Sequence, residues 1–155
     1  MSLSRPGKLS IIIAIVACLQ FTACSSADLN DPRQVVITMF GAMEKNDQAT
    51  LAHILDLAEL MKDTGSDYAL QGSTARVFTN PKDILDDLTD SGLTKQRWFS
   101  MQRIVNKAEN MGETALVEVT FVDKESSKGY LTKFGLKKIH GKWKIYSFKT
   151  SNSAS

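Results

Sequence analysis

The sequence predicts an α+β domain in which N-terminal helices are followed by an antiparallel sheet. Three observations predict it. Apolar residues recur at helical spacing from Val35 to Leu88. After Gly92 the period changes, and Ala115, Val117, Val119 and Phe121 alternate with polar Thr114, Glu118 and Thr120 as in a half-buried strand. Turn residues at Asp123 to Gly129 and at His140-Gly141 then divide the rest into a meander of strands.

The chain opens with an address. Basic Arg5 and Lys8 precede an apolar core from Leu9 through Phe21, and small residues lead to Cys24, the three parts of an export signal. The core is shorter than the roughly 20 residues of a spanning helix. Phe21-Thr22-Ala23-Cys24 reads as a lipobox, since a small residue directly before a cysteine lets a lipid transferase reach the thiol. Ile15-Val16-Ala17-Cys18 matches the same pattern. Cleavage before Cys18 leaves only about eight apolar residues in the core and puts Leu19, Gln20 and Phe21 into the tether. Cleavage before Cys24 uses the whole run and leaves polar Ser25-Ser26, so Cys24 is the expected lipidation site; an ordinary secretory signal with a free cysteine is the alternative. Each methylene of an acyl chain adds about 0.8 kcal/mol when buried in a bilayer. Ser25 is not the Asp that signals inner-membrane retention, which points to the periplasmic face of an outer membrane in a cell with two membranes.

The boundaries follow: residues 1–23 signal peptide, 24–30 lipidated tether, 31–150 one domain, 151–155 disordered tail. About 130 residues after the signal suffice for one core. A mature chain with one cysteine forms no internal disulfide and offers no thiolate set for zinc. Removing Arg5 and Lys8 brings the basic count from 19 to 17 against 17 acids, so global charge selects no partner and nucleic acid is not expected. The charges are segregated, with 12 acids to 5 bases from Cys24 to Gly92 and 12 bases to 5 acids from Leu93 onward. A basic sheet face could dock anionic headgroups, lipopolysaccharide or an acidic partner; ordinary solvated faces are the simpler account.

In the domain, Asp31 caps and Pro32 starts the first helix, with Gln34 placed for a capping box and Val35, Val36, Met39, Phe40 and Met43 on one face. Asn46-Asp47 ends it. A second helix buries Leu51, Ile54, Leu55, Ala58 and Met61, and the chain loosens into turn residues from Lys62 to Asn80. Asn80-Pro81 starts a third, short helix with Ile84, Leu85 and Leu88 inward, ended by Ser91-Gly92. Its Asp83, Asp86, Asp87 and Asp90 lack the loop spacing of a calcium site and read as a solvated acidic face, so no metal is expected. Thr94 to Asn106, rich in Trp98, Phe99, Ile104 and Val105, opens the strand half. Gly135 inside the strand Tyr130 to His140 suggests a bulge, and Lys142 to Lys149 closes the sheet.

This order of helices then long antiparallel strands, ending in Gly141-Lys142-Trp143-Lys144-Ile145-Tyr146-Ser147-Phe148, resembles the nuclear-transport-factor-2-like superfamily over the whole mature chain, and within it small bacterial lipoproteins of unknown function. The resemblance implies N-terminal helices packed in the concave face of a curved antiparallel sheet, a cone-shaped arrangement whose mouth holds a ligand or active site in some members, and an outer sheet face that often dimerises. Enzymes of this fold use carboxylates or an Asp and His pair inside the cone. The candidates here are His53 and Asp56, three apart on the second helix, with His140 and Tyr130 in the sheet. No nucleophile, oxyanion device or metal set accompanies them.

Trp98, Phe99, Tyr130, Trp143 and Tyr146 are the candidates for a ligand pocket, although filling a cone core is the simpler account of each. By strand parity, Trp143 and Ile145 face one side of the last strand and Tyr146 and Phe148 face differently, which leaves apolar area on both sheet faces. The expected function is a membrane-anchored envelope lipoprotein with a non-catalytic domain that binds a small ligand or an envelope protein and uses no cofactor. The alternatives are a dehydratase or isomerase using His53 and Asp56, and a module that dimerises through its sheet.

Overall fold

The computed structural model describes residues 29–62 and 78–152; the expected signal peptide, Cys24, most of the tether, residues 63–77 and the last residues of the tail lie outside that range. Five helices precede four strands among the described residues: α1 Pro32–Lys45, α2 Gln48–Ile54, α3 Leu57–Leu60, α4 Pro81–Asp87, α5 Leu93–Ser100, β1 Gln102–Asn110, β2 Thr114–Val122, β3 Gly129–Ile139 and β4 Lys142–Asn152. The sheet runs β1-β2-β3-β4, every pair antiparallel.

Local chemistry sets the helix ends. The Asp31 carboxylate accepts from the Arg33 N–H, Pro32 occupies the first turn, and Val35, Val36, Met39, Phe40 and Met43 are buried. Asn46 ends α1 in the left-handed conformation (φ 57°), which Asn tolerates better than most residues, and Asp47 at once caps α2 through the Thr50 N–H. Asn80 and Asp83 complete a reciprocal capping box at α4.

The expected second helix is two short ones. Leu55 leaves α2 extended (φ −96°, ψ 143°) and forms a parallel bridge with Ile145, and the Asp56 N–H donates to the Ile145 carbonyl at 2.7 Å. The exposed edge of β4 thereby gains a partner, a gain that outweighs the continuation of a helix. Asp56 then caps α3 through the Glu59 N–H. The register of the apolar stripe changes as a result: Leu60 is buried, Met61 is half-buried, and Ala58 is exposed.

The stretch around Trp98 and Phe99 is helical rather than extended, and strand begins only at Gln102. The acidic face is also corrected at one position. Asp87 is buried and accepts from both the Thr94 hydroxyl and the Thr94 N–H, tying α4 to α5.

Two irregularities bend the sheet. β1 shifts register between Val105 and Ala108, where the Arg33 guanidinium binds the carbonyls of Val105 and Asn106, closing part of that edge. β3 and β4 shift at Gly135: Gly135 pairs with Ser147 and Leu136 with Ile145, so Tyr146 is the extra residue. The bulge restores Phe148 to the inner face, and Trp143, Ile145 and Phe148 are all buried together. The parity expectation fails there because alternation does not survive an inserted residue.

Candidate functional site

The concave face of the sheet is occupied by side chains. Phe40 from α1, Trp98 from α5, Phe121 from β2, Phe134 from β3 and Phe148 from β4 meet with ring centroids 5.2 to 6.1 Å apart. Trp98 stacks on Phe121 at 5.4 Å and meets the other three edge-on, the favoured geometry for ring quadrupoles.

The five aromatic pocket candidates fall in three different places. Trp98 and Trp143 are 1% and 2% exposed, and the Trp143 Nε1–H donates to the Asn30 carbonyl at 2.9 Å, so both are core. Phe99 is half-buried beneath the Arg103 guanidinium, 3.8 Å from its ring centroid. Tyr130 lies half-buried beside Phe121 on the inward side, whereas Tyr146 lies on the opposite side of the sheet, above Gly135. The sheet itself separates Tyr146 from Trp98, Tyr130 and Trp143.

The acid–base candidates are likewise separated. His53 is exposed on α2, and the extended Leu55 between it and Asp56 removes the helical i, i+3 geometry that would have made them neighbours. Asp56 is engaged elsewhere: its carboxylate accepts from the Glu59 N–H at 3.3 Å and lies 2.9 Å from the Lys137 ammonium, which also reaches Glu59 at 3.9 Å. Burial pushes the Asp56 carboxyl up, but hydrogen bonds from Lys137 and the Glu59 N–H outweigh it and hold the group below its usual range. Asp56 therefore stays ionised at neutral pH, unlike a general acid poised near pH 7. His140 is exposed, in the left-handed conformation (φ 52°), in the β3–β4 turn.

Asp56 thus joins α3 to the sheet, and pH should report it. Asp56→Asn keeps a capping oxygen and loses the ion pair, an expected cost below about 1 kcal/mol; Asp56→Ala loses both, about 1–2 kcal/mol. Because the folded-state carboxyl is held below its unfolded value, the advantage over Asp56→Asn is complete above about pH 4 and disappears as the pH falls through the folded-state value. Urea midpoints from pH 7 to pH 2 measure it. An advantage that persists at pH 2 would mean that the ion pair is not its source.

Sequence reading missed Lys137 and Arg103. Lys137 carries no signal beyond its place in a lysine pair. Arg103 follows Trp98 and Phe99 closely enough for a cation to reach both helix and rings: its Nη1 donates to the Trp98 carbonyl at 3.0 Å, satisfying the C-terminus of α5, while Phe40 lies 5.6 Å away. Burial pulls its pKa down and nearby Glu44 opposes that.

A shallow depression of about 430 Å³ lies at the α4–α5 corner, lined by Phe78, Asp83, Asp86, Asp87, Ser91, Gly92 and Leu93. Its acids are partnered: Asp83 with Thr79 and Asn80, Asp86 with Lys82 and Gln48, Asp87 with Thr94. Among the described residues no three His, Cys, Asp or Glu side chains are grouped to hold a metal ion.

No protein-family model matches the chain, and no curated protein matches it. Solved structures do. A protein from Streptomyces avermitilis, named as a candidate dehydratase of the nuclear-transport-factor-2-like family, superposes with a TM-score of 0.53 at 16% identity, covering 83% of this chain and 97% of its own. A chain named after nuclear transport factor 2 and carrying five substitutions superposes with a TM-score of 0.51 at 16% identity, covering 77% of this chain and 95% of its own. Helices seated on an unclosed four-stranded antiparallel sheet, matched across nearly the full length of both neighbours, give this chain the nuclear-transport-factor-2-like fold.

Proposed function

We propose that this chain is an envelope lipoprotein, anchored through acyl chains on Cys24, whose domain is a non-catalytic binding module that engages a protein surface across the outer face of its sheet. The observation that carries the reading is the aromatic packing of the concave face, where the cone would otherwise receive a small ligand. At 16% identity, the neighbour named as a dehydratase contributes a fold and no reaction.

The outer face offers the alternative surface. Ile104 is 46% exposed, and its row continues across the sheet through Thr120 to Leu131, with Leu116, Val122 and Tyr146 half-buried nearby. The Glu118–Lys133 pair, 3.5 Å apart, lies among them and would fix the register of whatever docks. A second copy of this chain is the first occupant to test.

The anchor and the surface are tested separately. Cys24→Ala should move the chain from the membrane fraction to the soluble fraction, and the mature N-terminal peptide should carry the mass of its acyl chains. An unmodified Cys24 in a membrane-free chain would sink the anchoring. Ile104→Lys with Leu131→Lys should abolish cross-linking of the chain to itself in intact envelopes, with little change in the urea midpoint. Undiminished cross-linking, or a small molecule retained in native mass spectra, would refute docking through the outer face.

A further inference from the structure

The β3–β4 turn is basic and lies where the tether enters the domain. Lys137-Lys138-Ile139-His140-Gly141-Lys142-Trp143-Lys144 holds four lysines and no acid in eight residues. Lys137 is held by Asp56, and Lys138 lies 3.6 Å from Glu113 and 5.0 Å from the Trp143 ring centroid. Lys142 is exposed and Lys144 half-buried; neither lies within ion-pair distance of an acid among the described residues, although Lys144 is close enough to help hold the Asp56 carboxyl low. The β1–β2 turn lies alongside, fixed by the Lys138 N–H donating to the Glu113 carbonyl. It carries Glu113 and, at its tip, Met111, which is 62% exposed, with Glu109 just before it at the end of β1.

The hydrogen bond from Trp143 to the Asn30 carbonyl brings the N-terminal segment to this same end. Asn30 is six residues on from Cys24 in sequence order, a reach of at most about 22 Å. The loop Asp123 to Lys128 lies at the far end of β2, a strand of nine residues and so about 30 Å long. An anchor at Cys24 therefore keeps the turn end within reach of the bilayer and, with the domain upright, leaves the far loop the more distant.

We infer that the β3–β4 turn end is a docking surface for the anionic headgroups of the leaflet that holds the anchor, with Lys142 and Lys144 pairing with headgroup phosphates and Met111 entering the headgroup layer. The inference rests on the anchoring of Cys24 proposed above. Attraction to an anionic surface falls off within a Debye length, about 8 Å at physiological salt, so only lysines held against the surface contribute. Each contributes about a fivefold bias toward the docked orientation, and two together about 25-fold.

The test uses the full lipid-modified chain in vesicles of 70% phosphatidylcholine and 30% phosphatidylglycerol with a quencher on a fraction of the headgroups. With Cys24 blocked by its lipid, Met111→Cys or Glu125→Cys supplies a lone thiol for a fluorophore at either end. Strong quenching at position 111 and weak quenching at position 125 is expected. Quenching at 111 should fall severalfold in pure phosphatidylcholine, and equally in the Lys142→Glu/Lys144→Glu variant; Lys142→Glu alone, which leaves the Asp56 carboxylate undisturbed and the urea midpoint unchanged, should lower it in the same direction. Equal quenching at both positions, or indifference to phosphatidylglycerol and to the lysine reversals, overturns docking while leaving the anchor intact. A chain with unmodified Cys24 that does not float with the vesicles overturns both.

Discussion

Trp98→Ala is expected to lower the unfolding free energy by about 3–5 kcal/mol, a large part of the 5–15 kcal/mol available to a domain of this kind. Trp98 reaches from α5 into the middle of the sheet and meets rings from α1, β2, β3 and β4, all within 5.8 Å between centroids. The four walls of the resulting cavity belong to four different elements, so no single shift can close it. Cost grows with the void left unfilled, which places this site toward the upper end of the range. Urea midpoints, at an unchanged slope, measure the loss.

The result bears on function as well as stability. Added indole should recover part of the midpoint in Trp98→Ala, because an apolar cavity of fixed shape accepts a matching apolar guest. A loss below about 1.5 kcal/mol would be too small for a packed core residue of this size. The concave face would then be a loosely filled chamber, and the small-ligand reading of Trp98 and Trp143 would regain its footing.

Local signals carried much of the architecture. Asp31-Pro32, Asn46-Asp47 and Asn80-Pro81 mark helix ends where a capping side chain does the work, and capping acts within a few residues of sequence. Gly135 signalled the bulge and His140-Gly141 the tight turn for the same reason. What stayed hidden depends on partners distant in sequence. Leu55 has the character of a helical core residue, and only the open edge of β4 at Ile145 draws it out of the helix. Asp87 reads as one more solvated acid until α5 brings Thr94 to it.

The candidate site was less legible than the fold. Trp98, Trp143 and Tyr146 are the same residue types whether they line a pocket or fill a core, and only the bulge at Tyr146 returns Phe148 to the inner face beside Trp98 and Trp143. His53 and Asp56 were joined by an assumed helix that breaks between them. Lysines 137, 138, 142 and 144 are plain in the sequence, but which of them are spent on Asp56 and Glu113 is a property of the fold.

Gly92→Ala is expected to cost about 3 kcal/mol or more, although the backbone there (φ −57°) suits any residue. Space is the obstacle. A Cβ would stand 2.5 Å from the Asp86 carbonyl oxygen and closer still to that of Asp87, and these are backbone atoms at the end of α4 that no rotamer change can move. The Gly92 N–H donates to the Thr89 carbonyl at 2.8 Å, and its own carbonyl accepts from Gln96 at 2.9 Å, so the residue joins the two helices from both sides. Relief of the clash separates α4 from α5 and takes both Thr94 donors away from the buried Asp87 side chain. Gly41→Ala is the matched control: nothing lies within 4 Å of its added Cβ, and within a helix the change should stabilise by about 0.5–1 kcal/mol. Urea midpoints should therefore move in opposite directions for the two substitutions. A drop at both would assign the effect to the loss of glycine itself, whereas a drop at Gly92 alone locates it in the α4–α5 corner, where the sequence displays only a helix terminator.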